Sequence, residues 1–209
     1  MVTKSKSRTR ASKESPDGNE LLLMELQQIY SAESQLARAL PRFSKAIESD
    51  SVREMFDQRL EEGERIIEEL EAAFDEMEES PGRKRNVAAE GLIGDAREHI
   101  QEIARGPALD AVLIAGLQKT EHYCIAAWGT AKSLGTSCEE ETVVRSMERA
   151  LKEGKSFDQR LTEIAEQEIN PALMSEEDSE EAEGEESIGD GQGRRRGRGR
   201  EGSERRTST

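Results

Sequence analysis

The chain has 209 residues, with 45 acidic and 30 basic side chains for a formal charge of −15, and 33% of its residues are apolar. That length suits one ordinary domain with tails, and so low an apolar fraction requires the burying residues to be concentrated in part of it. No run approaches the roughly 18 apolar residues that cross a bilayer, and the basic, Ser/Thr-rich start has no apolar stretch behind it as a secretory signal would. The expected compartment is therefore the cytoplasm, with no membrane partner. Cys124 and Cys138 are too few for a disulfide framework and stand in no metal-finger spacing, so both are expected as thiols.

Charge is unevenly placed. Residues 1–18 carry five basic and two acidic groups, residues 175–209 carry seven and eleven, and the middle is left with −14. A body so acidic repels nucleic acid and anionic lipid, and suits small cations. The basic arm 1–18 ends in the turn residues Ser15-Pro16-Asp17-Gly18. The tail 174–209 is an acidic block followed by an Arg/Gly block. Neither has apolar periodicity, and both are expected to be disordered. Solvation is their favoured role, with nucleic-acid contact through the basic arm and the Arg/Gly tail as the alternative.

Residues 19–173 repeat at helical spacing, which points to an all-α core. The first helix places Leu22, Leu26, Ile29, Leu36 and Leu40 on one side, with Glu33 at a seam position and Pro41 as a kink near its end. Ser49-Asp50-Ser51 offers an N-cap for the second. That helix runs to about Glu79, with Met55, Leu60, Ile67, Leu70, Phe74 and Met77 as its buried side, while Glu62 lies on the stripe of Met55, Arg59 and Ile66. Ser80-Pro81-Gly82 ends it. A short connector helix spans about Val87 to Arg105 and stops at Gly106-Pro107. The next helix carries Leu113, Ile114, Leu117, Ile125 and Trp128, with Glu121 on its seam. After Gly135-Thr136-Ser137 the last carries Val143, Met147, Ala150, Leu151, Phe157, Leu161 and Ile164, with Glu153 on the stripe from Ala150 to Phe157.

Each of the four long helices thus has one glutamate, Glu33, Glu62, Glu121 or Glu153, that can aim at the centre. A buried carboxylate needs a counter-charge, a shared proton or a metal. Ferritin-like four-helix bundles meet the need with two metal ions held by one glutamate from each of two helices and Glu-x-x-His from each of the others. Here Leu36, Arg65, Cys124 and Ser156 stand three residues after the glutamates, so the histidines of that motif are absent.

The residues from about Glu25 to Asn170 resemble the YciF-type (YciE/YciF) ferritin-like family of bacterial stress-associated proteins. The carriers are Tyr30-Ser31-Ala32-Glu33-Ser34-Gln35 with Ala39-Leu40-Pro41, Leu60-Glu61-Glu62, Glu90-Gly91-Leu92-Ile93, Glu121-His122-Tyr123 with Ile125-Ala126 and Gly129-Thr130, and Glu153 with Asp158, Leu161-Thr162 and Ile169-Asn170. The resemblance implies a ferritin-like bundle with an additional short helix, a homodimer, and a carboxylate-bridged centre of iron or manganese. Its expected chemistry is oxidation of Fe(II) by oxygen or peroxide, or metal handling in stress.

Three departures bear on the centre. The family commonly has His where this chain has Arg59, Gln where it has Ile66 and Glu where it has Cys124. A guanidinium cannot ligate a cation, but it can bridge two carboxylates. Two readings stay open from the sequence: a di-metal centre ligated by Glu33, Glu62, Glu121 and Glu153, and a metal-free bundle, structural or interacting in function, whose buried carboxylates Arg59 neutralises.

Lesser candidates carry blander expectations. His122 faces about 100° from Glu121, towards the connector. Asp95 and His99 stand at i, i+4 spacing as a surface ion pair or a weak outer metal site. Cys124 is expected as a small core residue, Cys138 as a thiol at a helix start, and Tyr30 and Tyr123 as half-buried packing.

Overall fold

A computed structural model describes residues 15–175, so nearly all of both charged arms lies outside the described residues. The described chain is all-α: α1 Gly18–Ser44, α2 Asp50–Glu76, α3 Val87–Glu102, α4 Pro107–Ser137 and α5 Glu141–Ile164, the last continued by a π-helical turn, Ala165–Ile169. Among these residues no helix is long and apolar enough to cross a membrane.

The helix starts follow from local chemistry. Asp17 caps α1 in a capping box, taking the Glu20 amide at 2.9 Å while Glu20 returns to the Asp17 amide at 3.0 Å. Ser49 caps α2 and Asn86 caps α3. Pro107 opens α4, where its missing N–H costs nothing. α1 runs through Pro41 to Ser44 as one helix.

The helices pair as α1 with α2 and α4 with α5, and the pairs close a bundle through α1 against α4 and α2 against α5. The connector α3 lies over α1 and α4. Leu22, Leu26, Leu40, Leu70, Leu113, Trp128, Phe157 and Leu161 are fully buried along the axis. Each such side chain contributes about 1.5–3 kcal/mol of transfer free energy, and this apolar column holds the bundle together.

One end is knitted by polar contacts. Asp110, in the first turn of α4 and 1% exposed, accepts the amides of Glu48 and Ser49 at 3.0 and 2.7 Å. The Ile47 carbonyl takes Arg53 and Arg105 at 3.0 and 2.9 Å. The π turn carries Glu168 back to the Ser49 and Ser51 hydroxyls, at 2.7 and 2.6 Å. Backbone groups left over between α1 and α2 are thereby satisfied by Asp110 of α4, Arg53 of α2 and Arg105 just before α4.

In α2 and α5 the buried stripe differs from the expected one. It runs Val52, Met55, Arg59, Gly63, Ile66, Leu70, Ala73 in α2 and Val143, Met147, Ala150, Gly154, Phe157, Leu161 in α5. Leu60, Ile67, Met77, Leu151 and Ile164 are only half-buried. Both stripes keep steps of three or four residues, and both pass through a glycine that immediately follows a seam glutamate of the sequence reading.

Candidate functional site

The centre of the bundle holds an arginine between two glutamates. Arg59 of α2, Glu33 of α1 and Glu121 of α4 are 1%, 0% and 0% exposed. Arg59 Nε donates to Glu121 Oε2 at 2.7 Å, and its Nη2 donates to both oxygens of Glu33 at 3.1 and 3.0 Å. Nη2 also reaches Cys124 Sγ at 3.6 Å, and the guanidinium carbon lies 5.7 Å from the centre of the Trp128 ring. One cation thus joins three helices.

Glycines make the room. A Cβ at Gly63 would stand 3.0 Å from Arg59 Nη1 and 3.1 Å from Glu33 Oε2, and one at Gly154 would stand 2.5 Å from both Glu121 Oε1 and Trp128 Cζ3. The polar atoms beside these glycines, Arg59 Nη1 and Glu121 Oε1, have no hydrogen-bond partner among the described residues, and neither does Trp128 Nε1. Buried polar atoms left so cost free energy.

The charges are set by what surrounds them. Burial alone would drive the proton off Arg59, but Glu33 and Glu121 beside it hold the guanidinium firmly charged. With both carboxylates ionised the trio would carry a net −1 in a dry interior. Burial, opposed by Arg59 and reinforced by the Glu33 charge, pushes the Glu121 carboxyl up to about 7. Burial, helped by Glu33, also pushes the Cys124 thiol well up, which suits a small neutral core group.

Of the four glutamates expected at the centre, Glu33 and Glu121 meet there. Glu62 and Glu153 each precede a seam glycine by one residue, and one residue is about 100° of helix rotation. Glu62 is half-buried and accepts Gln58 Nε2 at 2.7 Å, and its charge adds to those that push the Glu121 carboxyl up. Glu153 is 36% exposed and pairs with Arg65 in a polar ladder between α2 and α5 that also joins Glu69 to Ser146 and Arg149. Among the described residues no group of three or more His, Cys, Asp or Glu is placed to hold a metal ion.

The lesser candidates lie elsewhere. His122 is exposed and pairs with Asp158 of α5 at 3.2 Å, so it faces α5 and not the connector. Asp95 is exposed on α3 and makes no ion pair with His99 among the described residues. Cys138 is the C-cap of α4, not a helix start, and so lacks the N-terminal dipole expected to activate it. Tyr30 packs edge-on to Phe74 with ring centres 6.0 Å apart, its hydroxyl donating to Glu71 at 2.8 Å. Tyr123 is half-buried and takes the Asn86 amide. Sequence reasoning missed Gly63 and Gly154; their signal was that the apolar stripe keeps its spacing only by passing through them.

Comparison with known proteins agrees with this architecture. The family model described as "Domain of unknown function (DUF892)" matches residues 17–174. Protein YciF of Escherichia coli K12 is 35% identical over 146 residues, 69% of this chain and 88% of that protein. Its crystal structure, described as that of a stress protein, superposes with a TM-score of 0.71 at 32% identity, covering 75% of this chain and 99% of that one. YcfI of Rhodopseudomonas palustris, proposed to be a structural protein, superposes with a TM-score of 0.68 at 32% identity, covering 72% and 96%. By family match, identity and shared fold, the chain belongs to the DUF892 family of YciF-type helical bundles.

Proposed function

We propose that this chain is a metal-independent, structural or interacting member of its stress-associated family, in which a buried guanidinium does what a cation pair would do elsewhere. The observation that carries the reading is the position of Arg59, hydrogen-bonded at once to Glu33 and Glu121. The residues present do not fit iron or manganese. A hard cation asks for several oxygen ligands, while both carboxylates here are turned onto a group that cannot ligate, and Glu62 and Glu153 are engaged by Gln58 and Arg65.

A cluster of this kind is not an economical source of stability, since apolar residues of similar volume often do as well. Its use is to fix which faces of α1, α2 and α4 meet, because any slip in register would bury an unpaired charge. The experiment is thermal unfolding of the tag-free chain with EDTA and with excess Fe(II) or Mn(II) under anaerobic conditions. A ligand bound only by the native state raises the midpoint as its concentration rises. The expected midpoints coincide, and a midpoint climbing with metal concentration would contradict the reading.

A further inference from the structure

The loop between α2 and α3 contains three consecutive basic residues, Arg83-Lys84-Arg85, in a chain of formal charge −15. They do not project at random. They line one side of a cleft of about 400 Å³ whose other side carries Tyr30, Ser34 and Arg38 of α1. Tyr30, Ser34 and Arg38 follow one another at i, i+4, i+8, so they form a single row on α1.

The loop is fixed to α1 at both ends. Gln27 Nε2 donates to the Ser80 carbonyl at 2.9 Å, and Gly82 closes over Gln27 with φ +69°, a left-handed conformation that glycine adopts without strain. At the other end the Asn86 amide donates to Ser31 Oγ at 2.9 Å and Gln35 Nε2 donates to the Asn86 carbonyl at 3.1 Å. The basic residues between these anchors therefore belong to a preformed wall.

Neutralisation of that wall is incomplete. Arg85 pairs with Glu90 at 3.0 Å, and Glu71 is bound to the Tyr30 hydroxyl. Arg38, Arg83 and Lys84 have no carboxylate within 4.0 Å among the described residues. Three unpaired cations gathered beside two hydroxyls, in a chain with so many acids to spare, are the composition of an oxyanion site.

We propose that this cleft binds a small phosphate-bearing ligand, with Arg38, Arg83 and Lys84 on the phosphate oxygens and Ser34 supplying a hydroxyl donor. The size favours a compact ligand, for it lies at the small end of small-molecule sites. A nucleic-acid backbone is disfavoured because exposed carboxylates, Asp75, Glu76, Glu78 and Glu79, fill the end of α2 and the start of the loop that leads to the cleft.

The test is calorimetric titration of the full chain at low ionic strength with inorganic pyrophosphate, with AMP and with a 20-residue single-stranded oligonucleotide. The variant carries Arg38→Ser, Arg83→Ser and Lys84→Ser, all exposed positions, and leaves Arg85 and the anchoring residues intact. Saturable binding of pyrophosphate or AMP that weakens at least tenfold in the variant, with an unchanged unfolding midpoint, is the expected result. Absent binding of both probes, equal binding by the variant, or oligonucleotide binding that excess pyrophosphate does not compete would each overturn the proposal.

Discussion

Gly154 of α5 lies against Glu121 of α4 so closely that a methyl group added to it would stand 2.5 Å from the carboxylate oxygen Oε1. The same methyl would meet the Trp128 ring at the same distance. A helix-interior glycine ordinarily costs about 1 kcal/mol relative to alanine, so this one is retained for the space it leaves. Gly154→Ala is expected to destabilise the protein by about 1–3 kcal/mol through overpacking. Gly91→Ala, on the exposed side of α3 where a Cβ meets nothing within 4 Å, is expected to stabilise it by about 0.5–1 kcal/mol. Denaturant unfolding of the two variants checks the opposite signs.

Removing the cation should be worse than removing the whole cluster. Arg59→Ala leaves Glu33 and Glu121 buried without a partner and is expected to cost about 3–5 kcal/mol. Replacing all three together, by Arg59→Met with Glu33→Leu and Glu121→Leu, is expected to restore most of that stability. A triple variant no more stable than Arg59→Ala would mean that the cluster contributes through something other than mutual neutralisation.

The proton on Glu121 sets a pH dependence whose sign is fixed. Its carboxyl stands at about 7 in the folded chain against an ordinary 4.5, so the folded state binds the proton more tightly than the unfolded one. The resulting stabilisation is fully present below 4.5 and is lost as pH rises to about 7. The shift corresponds to about 3 kcal/mol. Glu121→Gln keeps the Arg59 hydrogen bond and cannot ionise. The difference in unfolding free energy between this variant and the native chain is expected to change by that amount between pH 4.5 and 7, and a flat difference would contradict the assignment.

How much of this was legible in the sequence depended on the residue. Glu33 and Glu121 could be read because large apolar residues share their stripe, Ile29 and Leu36 in one case, Leu117 and Trp128 in the other, and fix the inward direction. Glu62 and Glu153 were read one residue out of place because glycine gives no hydropathic signal. At Gly63 and Gly154 the stripe looks interrupted, and the neighbouring glutamate takes the vacant position on paper. Arg59 as a bridge could be foreseen from its departure from the family's histidine. Which two of the four glutamates it joins could not, since that depends on the spacing and rotation of the packed helices.

Asp110 is a second buried charge, and its partners are backbone amides. Asp110→Ala would remove the acceptor of the Glu48 and Ser49 amides at the start of α2, which have no other among the described residues. An unmet buried group costs about 1–3 kcal/mol, and because Glu48 is exposed and Ser49 half-buried a loss of about 1–2 kcal/mol is expected. Hydrogen exchange should rise first at residues 47–49, ahead of global unfolding.

The most direct test of the central claim, that Arg59 stands in for a metal, is elemental analysis of tag-free protein followed by anaerobic Fe(II) titration and exposure to oxygen or peroxide, run beside the double variant Arg59→His with Cys124→Glu. The account predicts no stoichiometric metal and no fast oxidation signal in the native chain, with measurable Fe(II) affinity appearing only in the variant. About two metals per chain in the native protein, with rapid oxidation on mixing, would contradict it.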